Sequence, residues 1–179
     1  MSQFILTGAP GAGKTSVLRC LARMGHAVVE EAATDVNAWA LARGVTQPHL
    51  EVDFLEQILS LQEVRRRAVT EVGAGPVFHD RSPICTLALA EYLDSPAPPT
   101  LASAVEALRR ENYYERRVFF LRNLGFIINT DVRRISFEDT LRFERVHEAT
   151  YRRCGYDLVF IEPAEVEARA RTILSLAIA

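Results

Sequence analysis

At 179 residues, with 49% hydrophobic and 25% charged side chains, the chain has the composition of an ordinary globular protein. Its length suits one domain that buries about 70% of its unfolded surface. A formal charge of −2 lacks the basic excess of a polyanion binder, and no apolar run reaches 18 residues, so neither a nucleic-acid nor a membrane partner is expected.

In chain order, Phe4-Ile5-Leu6 predicts a first strand, and Ser16 to Met24 predicts a helix. Between them Gly8-Ala9-Pro10-Gly11-Ala12-Gly13-Lys14-Thr15 fits G-x-x-x-x-G-K-[ST] at every defined position. Glycines at 8, 11 and 13 let the backbone curl and aim N–H groups at phosphate oxygens, and the following helix turns its positive end to the same anion. Lys14 is the only lysine in the chain, against 20 arginines, and supplies a compact cation for the β- and γ-phosphates. The Thr15 hydroxyl suits Mg²⁺. Residues 8 to 15, with Ser16, predict a site for ATP and Mg²⁺.

Ala27 to Glu30 reads as a second strand, and Thr34 or Asp35 as the cap of a helix through Val36, Trp39 and Ala40, stopped by Gly44. Glu51 to Val69 has helical spacing in Val52, Leu55, Ile58, Leu59 and Val69; Arg65-Arg66-Arg67 reads as its solvated end. Gly73-Ala74-Gly75-Pro76 turns into the strand Val77 to Asp80, and Ser82-Pro83 opens a buried helix from Ile84 to Leu93. Asp94 to Thr100, with three prolines, reads as a loop; Leu101, Ala104, Val105 and Leu108 mark another helix. Val118 to Leu121 is the fourth strand, followed by an irregular stretch from Arg122 to Ile135. Ser136 caps a helix to about Cys154, closed by Gly155. Leu158 to Ile161 is the last strand, and Pro163 starts a helix turning Val166, Ala170, Ile173 and Ala177 inward. Alternating strands and helices, with no linker or repeat, predict an α/β domain with a parallel sheet covered on both faces. Cys20, Cys85 and Cys154 are odd in number and far apart, and the first strand starts too early for a signal peptide. Both features suggest reduced thiols in a cytoplasmic protein.

Several residues carry candidate chemistry. Asp80 ends an apolar strand, as the carboxylate that organises Mg²⁺ does in phosphoryl-transfer proteins, with Arg81 directly after it. Glu30 and Glu31 are neighbouring carboxylates on opposite faces of a strand end. One of them is a candidate general base or substrate contact; the alternative is two solvated edge residues. Arg133 and Arg134 are candidates for closing on the transferred phosphoryl group, or a pair of surface arginines. Four histidines offer no metal set, because Glu144-x-x-His147 lacks the second copy that a di-metal bundle needs; His147 is expected on a helix surface.

With these residues placed, the chain resembles the small P-loop ATPases of the AAA-28 type, related to ribosylnicotinamide kinase domains and to nucleoside and nucleotide kinases. The resemblance rests on Gly8 to Thr15, Val28-Val29-Glu30-Glu31-Ala32-Ala33, Phe78-His79-Asp80-Arg81-Ser82, Asp131-Val132-Arg133-Arg134 and Tyr151 to Val159. It implies a three-layer sandwich around a five-stranded parallel sheet in the order 2-3-1-4-5, with a mobile lid at about 122–135. It also implies Arg133 as a lid arginine, Glu31 as a candidate base and Arg81 as a substrate-positioning residue. Asp80-Arg81-Ser82 stands where the kinases carry Glu-Arg-Ser, and Glu31-Ala32-Ala33 where they carry Glu-Pro-Val.

The expected activity is ATP- and Mg²⁺-dependent phosphotransfer to a small hydroxyl-bearing molecule, by a monomer or homodimer. The alternative is a regulatory ATPase without an acceptor. A Ras-like GTPase is excluded, since a chain with no lysine beyond Lys14 has no N-K-x-D. An ABC-type ATPase is excluded by the absence of Leu-Ser-Gly-Gly-Gln.

Overall fold

The computed structural model describes residues 2–69, 75–126 and 135–178. Its strands are β1 (Gln3–Thr7), β2 (Ala27–Val29), β3 (Val77–Asp80), β4 (Arg117–Leu121) and β5 (Asp157–Ile161). All pair in parallel, in the order β2-β3-β1-β4-β5. The helices are α1 (Lys14–Arg23), α2 (Ala33–Ala42), α3 (Phe54–Ala68), α4 (Pro83–Tyr92), α5 (Pro99–Arg110), α6 (Phe137–Arg153) and α7 (Val166–Ile178).

The strands are apolar on both faces because helices cover both. On one side Phe4, Leu6, Phe78, Phe119 and Leu121 pack against Val17, Leu18 and Leu21 of α1 and Ala170 and Ile173 of α7. On the other, Ile5 and Val118 pack against Ile84 of α4, Leu101 and Val105 of α5 and Tyr151 of α6. Fully burying one such side chain contributes about 1.5–3 kcal/mol. A third cluster joins α2, α3 and α4 through Val36, Phe54, Ile58 and Ala90. The register sets Leu6 beside Asp80, so the carboxyl end of β3 lies next to the turn out of β1.

Several boundaries differ from expectation. The second strand ends at Val29, and Glu30 and Glu31 follow it outside the ladder. Thr34 does not cap α2; the helix starts at Ala33, and the Thr34 hydroxyl donates to Glu31 Oε2 at 2.8 Å. α3 starts at Phe54 rather than Glu51, leaving Val52 fully exposed in the preceding turn. α5 begins inside the stretch read as a loop, at Pro99, where a proline at the first helical turn is well tolerated. The last helix begins at Val166, which is exposed, and turns Arg169 inward instead. Ser136 caps α6 as expected, its Oγ accepting from Asp139 N at 3.0 Å. Ser82 stands at the N-cap of α4, but its hydroxyl lies 2.8 Å from Tyr151 Oη. The arginine run at the end of α3 is engaged with protein. Arg65 donates to the Glu30 and Glu31 carbonyls and to Asp35, and Arg66 sits 4.5 Å over the Tyr113 ring. Residues 73 and 74 of the expected turn, and most of the expected lid, lie outside the described residues.

Candidate active site

The glycine-rich loop leaves β1 beneath the end of β4. A Cβ on Gly8 would stand 2.3 Å from the Leu121 carbonyl oxygen, and Gly8 has φ +127°, so only glycine fits there. Gly11 and Gly13 also take the left-handed conformation, at φ 83° and 80°. Ala9, Pro10 and Ala12 are buried under the loop, while Thr15 and Ser16 are exposed on the first turn of α1. Lys14 is buried, and its Nζ donates to the Ala9 carbonyl at 2.9 Å. Burial and the nearby Arg81 charge lower its pKa to about 8.

Thr15 Oγ1 donates to Asp80 Oδ2 at 2.9 Å. The other carboxylate oxygen, Oδ1, is buried without a hydrogen-bond partner. Burial, then the like charge of Glu31, raises the Asp80 pKa. A hydroxyl and a buried carboxylate with an orphaned oxygen are hard oxygen donors that suit Mg²⁺. Among the described residues no three His, Cys, Asp or Glu side chains gather as a metal site. A cation at Asp80 would therefore draw its remaining ligands from phosphate and water, the usual habit of Mg²⁺.

Arg81 sits directly beyond β3 in the left-handed region, at φ 75°, with its N–H donating to the Leu6 carbonyl at 3.0 Å. Such a conformation costs a non-glycine residue about 1–2 kcal/mol and re-aims its side chain. The Arg81 side chain is 9% exposed; its Nε donates to Glu31 Oε1 at 2.5 Å, and Nη1 lies 3.1 Å from His147 Nε2. Burial works against the charge on Glu31, but Arg81 and then Lys14 outweigh it and hold the carboxyl well below its ordinary range. Of the two neighbouring glutamates, Glu31 faces inward and Glu30 is exposed. Lys14, Thr15, Glu31, Asp80 and Arg81 are thus brought to one end of the sheet. Arg133 and Arg134 lie outside the described residues.

Sequence reading placed His147 on a helix surface, yet it is fully buried. The signal was present in the spacing of Thr140, Phe143, Glu144, His147 and Tyr151, one helical stripe whose buried members are mostly polar. Arg169 was also missed. It stands one turn before Ile173, is 3% exposed, and donates to the carbonyls of Ala12 at 2.7 Å, Arg122 at 3.2 Å and Ile161 at 3.3 Å. It ties the phosphate loop to the ends of β4 and β5.

The profile of a family of AAA domains, AAA-28, matches residues 3–169. The chain belongs to this family. No curated protein sequence matches this AAA-28 chain. Among solved structures it is similar to a NadR protein in complex with NR, with a TM-score of 0.73 at 18% identity over 99% of this chain and 52% of that one. It thus spans about half of the NadR protein. A shikimate kinase from Acinetobacter baumannii in complex with shikimate gives a TM-score of 0.56 at 17% identity, over 99% and 93% of the two chains. A deoxyadenosine kinase from M. mycoides with the product dCMP bound gives 0.57 at 14%, over 97% of each. The family match and these likenesses agree on the P-loop kinase fold and its 2-3-1-4-5 sheet order.

Proposed function

We propose that this AAA-28 chain is an ATP- and Mg²⁺-dependent phosphotransferase whose acceptor is a small hydroxyl-bearing molecule, with nucleosides and ribosylnicotinamide first among the candidates. The observation that carries this reading is the buried Glu31–Arg81 pair beside Lys14 and Asp80. A bare ATPase needs the loop, the lysine and the metal carboxylate, but has no use for a second, rigidly held charge pair at the same end of the sheet. The kinase-like neighbours crystallised with shikimate, NR and nucleotides support the class.

In this reading residues 8 to 16 would hold the triphosphate, Lys14 would offset the charge of its β- and γ-phosphates, and Thr15 and Asp80 would hold Mg²⁺. The metal would neutralise charge on the transferring group. Glu31 accepts a hydrogen bond from the acceptor's hydroxyl and orients its oxygen for in-line attack on the γ-phosphorus; as the β–γ bridging bond breaks and ADP leaves, the hydroxyl proton passes late to Glu31 and on to solvent. With its carboxyl held so acidic, Glu31 acts by orientation rather than as a strong base, which suits a loose transition state. Arg81 fixes Glu31 and the acceptor, and Arg133 closes on the phosphoryl oxygens. Among the described residues no helix is long and apolar enough to cross a membrane. All three cysteines are buried and free, which fits a reducing, cytoplasmic setting.

The test is ADP formation from Mg-ATP with and without uridine, adenosine or ribosylnicotinamide. Slow basal hydrolysis, stimulation by one of these compounds and a phosphorylated product are expected. Glu31→Gln should suppress the stimulated reaction and spare ATP binding, with circular dichroism to confirm folding, because Arg81 then loses a buried partner. Brisk hydrolysis without acceptor, unchanged in Glu31→Gln and Arg81→Ala, would leave the regulatory ATPase standing.

A further inference from the structure

The Arg81 guanidinium is bound on two sides, by Glu31 at Nε and by His147 at Nη1. A guanidinium has donors and no acceptor, so at the 3.1 Å contact His147 Nε2 must offer its lone pair. The other ring nitrogen, Nδ1, lies 3.1 Å from the Phe143 carbonyl oxygen, which only accepts, so Nδ1 carries the hydrogen. These two contacts select one tautomer and leave no place for a second ring proton. Packing locks the ring as well: it meets the Phe143 ring edge-on, with centroids 4.3 Å apart and an interplanar angle of 90°.

A long side chain pinned at one nitrogen still turns about that contact. Pinned at two different nitrogens, the planar fork has one orientation. We propose that His147 is a positioning residue: its Nε2 accepts from Arg81 Nη1, holds the guanidinium plane against Glu31, and so sets the direction in which the remaining N–H groups of Arg81 meet the acceptor. The proposal rests on the reading of Glu31 and Arg81 as the acceptor site. It also ascribes a second task to α6, whose Glu144, one turn earlier, accepts from Arg122 Nη1 at 2.9 Å and from Asn123 Nδ2 at 3.2 Å beyond β4. One helix face thereby reaches both the arginine after β3 and the first residues after β4.

The test uses ¹⁵N-labelled full chain as wild type, His147→Gln, whose amide oxygen can replace Nε2, and His147→Leu, which cannot accept. Only four histidines need assigning, and His147 is the resonance lost in both variants; Arg81→Lys assigns the guanidinium. Long-range ¹⁵N–¹H spectra should show His147 as the Nδ1–H tautomer. Rotation about the Arg81 Cζ–Nη bonds should be slow in wild type and His147→Gln and fast in His147→Leu. For whichever of uridine, adenosine or ribosylnicotinamide the wild type phosphorylates, KM for that compound should rise roughly tenfold or more in His147→Leu. The KM for ATP should stay nearly constant, and the glutamine variant should recover most of the loss. An Nε2–H tautomer, equally slow Arg81 rotation in His147→Leu, or parallel rises in both KM values overturns the proposal. If none of the three compounds is phosphorylated, they fall as acceptors, while the spectra still decide what His147 does. Should His147→Leu not fold, the wild-type tautomer and the glutamine variant decide it.

Discussion

At the scale of single residues the site is governed by which charges are buried beside which. Lys14, held at a pKa of about 8 by burial and by Arg81, begins to lose its proton in the free protein just above neutral pH. Triphosphate bound against it favours the charged form, so nucleotide binding at pH 9 must take up a proton. ATP affinity should therefore be level below pH 8 and weaken by up to about tenfold per pH unit above it. Calorimetry in buffers of different ionisation enthalpy measures both the affinity and the proton uptake; a flat affinity from pH 7 to 9 would contradict the assignment. Asp80 supplies a second residue-scale expectation. Asp80→Asn keeps the hydrogen bond from Thr15 and removes the charge, so kcat should fall by at least about a hundredfold while ATP affinity changes far less. A kinetically silent variant would make Asp80 an ordinary strand-end residue.

Among elements, the decisive contacts are those that fasten the phosphate loop to its neighbours. Gly8 passes so close to β4 that a methyl group would overlap the Leu121 carbonyl. Gly8→Ala should cost several kcal/mol or abolish folding, by overlap with backbone and by strain at positive φ. From the other side Arg169 of α7 supplies donors to three carbonyls, one each from the loop, the end of β4 and the end of β5. Arg169→Met keeps much of the volume and strands those acceptors. It should lower stability by about 2–5 kcal/mol and weaken ATP binding, because the loop is no longer tied to the sheet ends. Urea denaturation followed by ATP titration separates the two effects; a variant as stable as wild type would show that water replaces the guanidinium at no cost.

Across the whole molecule, two buried histidines make the fold sensitive to acid. His79 bonds to Gln3 within the sheet, and burial, then Arg66, lowers its pKa to about 3; burial and Arg81 hold His147 well below its ordinary value of 6.5. Both are neutral in the folded chain and charge on unfolding below pH 6.5. Their contribution to stability is present above 6.5 and lost as pH falls, at about 1.4 kcal/mol per histidine per pH unit. By pH 5 the two together remove about 4 kcal/mol, a large share of a domain's usual 5–15 kcal/mol. Glu31, with its lowered pKa, adds a loss below about pH 4.5; Asp80, with its raised one, works in the opposite direction. Equal urea midpoints at pH 7 and pH 5 would show that these rings are not buried neutral.

How much of this was legible in the chain itself follows from the range over which each interaction acts. The phosphate loop, the strand–helix alternation and the Ser136 cap are written in consecutive residues, because local backbone geometry and helical or strand period decide them. The matched segments Gly8 to Thr15, Val28 to Ala33 and Phe78 to Ser82 likewise pointed to the family and to the sheet order that the structure has. What spacing left open was which charges meet. By spacing Glu30 and Glu31 were equivalent, and only the resemblance singled out Glu31; in the fold the chain turns out of the ladder after Val29 and only that carboxylate reaches Arg81. Arg65, read as a solvated helix end, proved to hold the Glu30 and Glu31 carbonyls from 35 and 34 residues away. His147 was expected on a helix surface, and Arg169 drew no reading, because polar side chains on a helix normally belong to its wet face. Only the tertiary fold, by setting α6 against Arg81 and α7 against the phosphate loop, offered them buried partners strong enough to offset the loss of water.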